Sequence, residues 1–109
     1  HAGRDRVFVA RSKSEGVMVG LVGAHQADGN RIEIGYWFGV AAQGQGYGTE
    51  AVASVLAQLT IACPDQQLFA ECAPENRRSW RLLEKLGFET TDEKGARSGR
   101  RVLVYHKGE

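Results

Sequence analysis

Apolar residues first appear in short runs with a period of two, change to helical spacing in the middle of the chain, and return to short runs at its end. Arg6-Val7-Phe8-Val9-Ala10-Arg11 and Val17 to Gly23 are strand-like runs separated by the turn residues Ser12 to Gly16, and together they predict a hairpin. Asp28-Gly29-Asn30 is a second turn signal, and Arg31 to Val40 after it reads as a third antiparallel strand with side chains alternating across a sheet. Val52, Val55, Leu56, Leu59 and Cys63 then fall at i, i+3, i+4, i+7 and i+11. That is one apolar stripe, on a helix from Thr49 to Ala62 whose wet side carries Glu50, Ser54 and Gln58.

Pro64-Asp65 stops this helix, and Leu68 to Cys72 is a short strand that must run parallel to the third, because a helix joins them. A second helix is predicted to start near Pro74 to Asn76, with proline in its first turn and Ser79, Leu82, Leu83 and Leu86 on one face. Lys85 lies in its last turn and Gly87 just beyond it. Phe88 to Thr91 and Arg101 to His106 form a closing hairpin around the polar, basic loop Asp92 to Arg100. The expected class is α/β (α+β): a mixed, largely antiparallel sheet of about six strands, two helices and a central βαβ unit.

The 109 residues make one domain, 1–109, with 42% hydrophobic and 25% charged residues, as in an ordinary globular chain. A net charge of +1 and a pI near 8.0 supply no global field for nucleic acid or a membrane surface. Cys63 and Cys72 have neither zinc-ligand nor disulfide-framework spacing, so reduced thiols and no metal are expected. No apolar run approaches the ~20 residues of a membrane span and no signal-peptide pattern appears, so a cytoplasmic location is expected. The first residue is His1 rather than methionine, which suggests a natural start lost or replaced.

Between the third strand and the first helix lies Gln43-Gly44-Gln45-Gly46-Tyr47-Gly48-Thr49. Three glycines in five positions let the backbone approach a ligand and point successive N–H groups one way, and a helix N-terminus adds free donors and a partial positive charge. A tight turn would account for the same glycines. A second motif decides between the two. With Gln43-x-x-Gly46-x-Gly48 after a strand, and Asn76-x-x-Ser79 followed by Leu83-Glu84-Lys85-Leu86-Gly87-Phe88, the chain resembles the GNAT superfamily of N-acetyltransferases. Ile34-Gly35-Tyr36-Trp37 and Gly46-Tyr47-Gly48-Thr49-Glu50-Ala51 are most similar to its RimJ/RimL branch, the ribosomal-protein N-acetyltransferases. The resemblance runs from Arg6 to Lys107.

It implies acetyl-CoA as cosubstrate, and a primary amine as acceptor: a protein N-terminal α-amine or a small-molecule amine attacking directly in a ternary complex. It also implies a further strand and two helices ahead of Arg6, forming one wall of the acceptor cleft, which this sequence does not contain. Val7, Val9, Val17, Val19 and Leu21 are then expected to meet water, or to be covered in a homodimer or by residues before His1. Many members carry a proton-donating tyrosine where this chain has Leu83.

On this resemblance the N–H groups of Gly44, Gln45, Gly46, Tyr47, Gly48 and Thr49 cradle the pyrophosphate, with side-chain contacts from Gln43 and Thr49. The pantetheine arm pairs with the edge at Phe38, Gly39 and Val40, and one N–H there polarises the thioester. Asn76 bonds a pantetheine amide or caps the second helix. Ser79 meets the departing thiolate or simply packs. Arg77, Arg78 and Arg81 reach the 3′-phosphate or remain solvated. Trp80, Trp37 and Tyr36 read as packing residues.

Glu71 and Glu33 are the candidate bases, with His25 a weaker one. An α-amine with a pKa of ~8 costs only ~1.4 kcal/mol to deprotonate at neutral pH, against ~4.6 kcal/mol for a lysine, so a weakly perturbed carboxylate acting through water suffices for the former. Two other functions compete: a non-catalytic acyl-CoA-binding or interaction module, and a nucleotide-binding regulator. The regulator is disfavoured because no Gly-Lys-Ser/Thr follows the loop.

If the glycine loop binds CoA through main-chain donors, Gly46→Asp or Gly48→Asp adds a side chain and a negative charge beside the pyrophosphate. Each is expected to abolish CoA binding in calorimetry, and wild-type affinity in both would remove the cradle.

Overall fold

A computed structural model describes residues 5–12, 15–39 and 46–106. The described chain runs β1 (Arg6–Arg11), β2 (Met18–Ala27), β3 (Arg31–Phe38), α1 (Tyr47–Ala62), β4 (Gln67–Cys72), α2 (Arg77–Lys85), β5 (Phe88–Lys94) and β6 (Arg101–Tyr105). All six strands form one sheet in the order β1-β2-β3-β4-β6-β5, and the expected βαβ unit is β3-α1-β4.

Pairing is antiparallel everywhere except between β3 and β4, which run parallel for three pairs only, Arg31, Ile32 and Glu33 against Gln67, Leu68 and Phe69. Beyond Glu33 the two strands part. β3 stays paired to β2 as far as Phe38, and β4 stays paired to β6 as far as Cys72, so a wedge opens in the middle of the sheet.

Both helices cover the same face. The apolar stripe of α1 buries Val52, Val55, Leu56 and Leu59, and Leu83 of α2 joins them against Val22, Ala24, Ile32, Ile34, Leu68, Ala70, Cys72, Phe88 and Leu103. No α-helix among the described residues is long and apolar enough to cross a membrane. The opposite face is open at β1 and β2, where Val7 is 69% and Val9 47% exposed. Val17 is exposed as expected, but Val19 and Leu21 are half-buried, Leu21 lying beside Val9 and Trp37 in register.

Several boundaries differ from the sequence reading for local reasons. The first helix starts two residues early, at Tyr47, because Gly46 takes the left-handed φ of 83° that turns the chain into it without a side-chain cap. Pro74 precedes the second helix; Asn76 is its N-cap, its side chain accepting from the Ser79 N–H at 3.4 Å. β5 extends through Asp92 and Glu93 to Lys94, polar residues that carry no alternation. The Thr91 hydroxyl donates to the Val102 carbonyl at 2.8 Å and holds this irregular stretch to β6. The last strand stops at Tyr105, one residue short of the reading. At the other helix end Gly87, with φ 105°, supplies the expected C′ turn.

Gly20 was not singled out by its sequence context. It faces the helices opposite Phe38, and a Cβ there would lie 2.3 Å from the Phe38 ring and 2.4 Å from the Trp37 carbonyl. On its far side the same ring lies 3.5 Å from where a Cβ of Gly48 would be. Two glycines thus make the slot that holds Phe38 at the wedge mouth.

Gly20→Ala should therefore overpack this slot and cost about 1–3 kcal/mol, a fall in Tm of roughly 5–15 °C for a domain of this size. Gly35→Ala is the control, since its Cβ would meet nothing within 4 Å. Equal thermal stability of the two variants would refute the packing argument.

Candidate active site

The wedge is lined on one side by Tyr36, Trp37 and Phe38 of β3, and on the other by Asn76, Arg78, Ser79, Arg81, Leu82 and Lys85 around α2. Gly46, Gly48 and Thr49 close its rim, and the cleft encloses about 590 Å³. The Glu50 N–H to Gly46 carbonyl bond, 3.0 Å, starts α1, so the N–H groups of Tyr47, Gly48 and Thr49 have no helical acceptor and stand where the helix dipole is positive. Gly48 allows a close approach here: a Cβ would sit 3.2 Å from the Leu82 side chain, a tight contact with the α2 residue across the cleft.

Val40, Gln43, Gly44 and Gln45 lie outside the described residues. Gly39 is described, and its N–H donates to the Val19 carbonyl at 3.0 Å, so it points to β2 rather than into the wedge. Successive strand residues alternate sides, so the main-chain groups of Phe38, one of the expected edge residues, and of Tyr36 turn toward the cleft.

Asn76 and Ser79 meet as cap and N3 residue at the start of α2. Of the arginines, Arg78 and Arg81 line the cleft, joined by Lys85, which sequence reasoning missed although it continues the same helix face. Arg77 is not among the lining residues. Leu83, one turn after Ser79, is buried in the core, 1% exposed, and is not among the residues lining the cleft. Trp80 packs against the core as expected, whereas Trp37 is 58% exposed.

Tyr36 packs against the core as expected, and its hydroxyl also lies 2.6 Å from the Ser79 Oγ, joining β3 to α2 where the wedge has opened. Burial pushes the Tyr36 phenol above its ordinary range, partly offset by the bond to Ser79.

The open face of the sheet carries a second groove, reached past the same Tyr36 and Trp37, and here Glu33 and Arg97 lie with His25 and Asp5. Glu33 and Glu71, candidates on adjacent strands, share one cation. The Arg97 Nη1 is 2.7 Å from the Glu33 Oε2 and 3.0 Å from the Glu71 Oε1. Glu71 is held further by the N–H groups of Ala96, 2.8 Å, and Arg97, 3.3 Å. A Cβ on Gly95 would sit 2.7 Å from this carboxylate, so glycine is what lets the β5–β6 loop close on it. Burial works to raise the Glu71 pKa, but the two main-chain donors and the Arg97 guanidinium outweigh it and hold the group below its ordinary value. His25, the weaker candidate, is paired with Asp5 at 3.0 Å.

A sheet split at one parallel seam, with a glycine turn and helix N-terminus at its mouth, has known counterparts. The family profile of the acetyltransferase (GNAT) domain matches residues 1–89. The chain belongs to the GNAT acetyltransferase family.

Solved GNAT structures agree with its fold. An acetyltransferase from Bacillus anthracis superposes with a TM-score of 0.80 at 24% identity, over 90% of this chain and 64% of that one. A spermidine N-acetyltransferase from Vibrio cholerae gives 0.80 at 18% identity, over 96% and 67%. A ribosomal-protein alanine acetyltransferase from Vibrio fischeri gives 0.74 at 21% identity, over 94% and 61%. No curated protein matches the sequence. The chain thus spans about 64% of the length of the Bacillus anthracis protein.

This GNAT cleft fits the cosubstrate its family uses. Its volume is that of a small-molecule site, its rim presents helix N–H groups that have no acceptor within the helix and suit phosphate oxygens, and Arg81 and Lys85 add positive charge along α2.

The lowered pKa of Glu71 has a stability consequence. A depressed carboxylate stabilises the fold above its unfolded-state pKa and loses that contribution as pH falls through the folded value. Glu71→Gln should therefore melt below the parent at neutral pH, and the gap should close as pH falls beneath the ordinary glutamate value of 4.5. A gap in Tm that stays constant down to strongly acidic pH would show that the Glu71 charge does not hold the loop.

Proposed function

We propose that this chain moves an acetyl group from acetyl-CoA to a primary amine, a protein N-terminal α-amine in preference to a lysine. The observation that carries the reading is the wedge between β3 and β4. There an extended, amide-rich arm can lie against main-chain groups of β3 while phosphates meet the start of α1. Gly46, Tyr47, Gly48 and Thr49 supply the described part of the cradle, Asn76 caps α2 through its Oδ1 and offers its amide hydrogens to the pantetheine, and Arg78 and Arg81 face the phosphate end.

The acceptor enters from the open face, where the second groove shares Tyr36 and Trp37 with the cleft. Its amine nitrogen attacks the thioester carbon, the C–S bond breaks with the electron pair going to sulfur, and the surplus ammonium proton leaves through water. Glu33, 16% exposed in the groove, is the carboxylate proposed to receive it. Glu71, 5% exposed and held by Ala96 and Arg97, is assigned to fixing the loop rather than to taking a proton. Such a weak base is adequate for an α-amine, whose deprotonation costs little near neutral pH.

Incubation with acetyl-CoA and a panel of amines, with free CoA read by a thiol reagent, tests this. Peptides with a free α-amine should release CoA faster than N-blocked lysine peptides at neutral pH, with rates rising toward pH ~8. CoA binding in calorimetry without release by any amine would instead establish the non-catalytic acyl-CoA-binding module.

A further inference from the structure

Ser79 sits in the first turn of α2, where a serine hydroxyl ordinarily bonds back to its own helix. Here its Oγ is 2.6 Å from the Tyr36 hydroxyl, which also lies 3.4 Å from the Ser79 carbonyl. Both side chains line the cleft, and Tyr36 stands three residues beyond the last β3–β4 pair, where the wedge is already open. Of two hydroxyls sharing one bond, the phenol is the stronger acid and donates. The serine oxygen then has one of its two acceptor sites filled and its own proton free to turn into the cleft.

We propose that Tyr36 is a positioning residue: it donates to the Ser79 Oγ and so aims the Ser79 proton at the sulfur that departs in acetyl transfer. This rests on the acetyl-transfer reading above and adds a residue to it. As the C–S bond breaks, the electron pair settles on sulfur and Ser79 donates a hydrogen bond to it, strengthened because Tyr36 polarises the serine. No proton need cross. A thiol of pKa ~8.5 is too weak a base as thiolate to deprotonate a phenol of pKa ~10, so both hydroxyls keep their protons and the thiolate is protonated by water after release. Leu83, buried in the core, cannot take this part.

The test compares Tyr36→Phe, Ser79→Ala and the double variant with acetyl-CoA, and then with an acetyl arylthioester whose thiol is far more acidic. With acetyl-CoA each single variant should lose about tenfold in kcat with KM within about twofold, and the double variant should lose no more than Ser79→Ala alone. With the arylthioester, whose leaving group needs no donor, both single variants should approach the unsubstituted rate. Tm and calorimetric CoA affinity check the fold; should Tyr36→Phe not fold, Ser79→Ala, which leaves β3 intact, carries the leaving-group comparison.

Additive losses in the double variant, or losses undiminished with the arylthioester, would overturn the positioning role while leaving acetyl transfer standing. Absence of transfer by the unsubstituted chain with both donors would overturn the transfer reading, and this proposal with it.

Discussion

Three parallel pairs, Arg31 to Glu33 against Gln67 to Phe69, are the strand pairing that joins the two halves of the sheet. Everything of functional interest follows from their number. Were the pairing longer, β3 and β4 would lie side by side to their ends and no cleft would exist. Were it absent, β1-β2-β3 and β4-β6-β5 would be separate ribbons. The helical crossover fixes the parallel sense, and α1, packed across the helical face through Val52, Val55, Leu56 and Leu59, keeps the diverging strands in one body. Arg97 adds a second link on the opposite face, between Glu33 of one half and Glu71 of the other.

Much of this was legible in the sequence because periodicity is a local signal. The stripe of α1, the hairpin turn at Gly29 and the C′ glycine at 87 each declare themselves within a few residues. The glycine turn and its paired motif on α2 are local signals too, and Gly46, Gly48, Asn76 and Ser79 all line one cleft. What the sequence concealed depends on residues that meet only after folding. Gly20 looks like an ordinary glycine in a strand until Phe38, 18 positions away and its register partner, is seen lying over it. Tyr36 reads as packing and does pack, but its second contact is hidden until α2 brings Ser79 against its hydroxyl. Gly95 belongs to a polar loop until the Glu71 carboxylate is found in the space a side chain would fill. Polar segments hid in the same way: Asp92 to Lys94 join β5 through a bond from Thr91, not through any alternation.

The two candidate carboxylates show why residue type and position underdetermine role. Glu33 and Glu71 lie on neighbouring strands and the same face, and the sequence left both as candidates. Their surroundings separate them. Glu71 gathers two main-chain N–H groups and a guanidinium and is nearly sealed, whereas Glu33 keeps more contact with the groove. The same loop that immobilises one carboxylate therefore leaves the other the more exposed of the two.

The two indoles of this chain are unequally placed. Trp80 packs against the core beneath α2, while Trp37 is 58% exposed and borders both grooves at once. A molecule settling in either groove changes the solvent around one indole and leaves the other as an internal reference. The protein thus carries its own optical reporter, and occupancy of the site can be followed by fluorescence without a label.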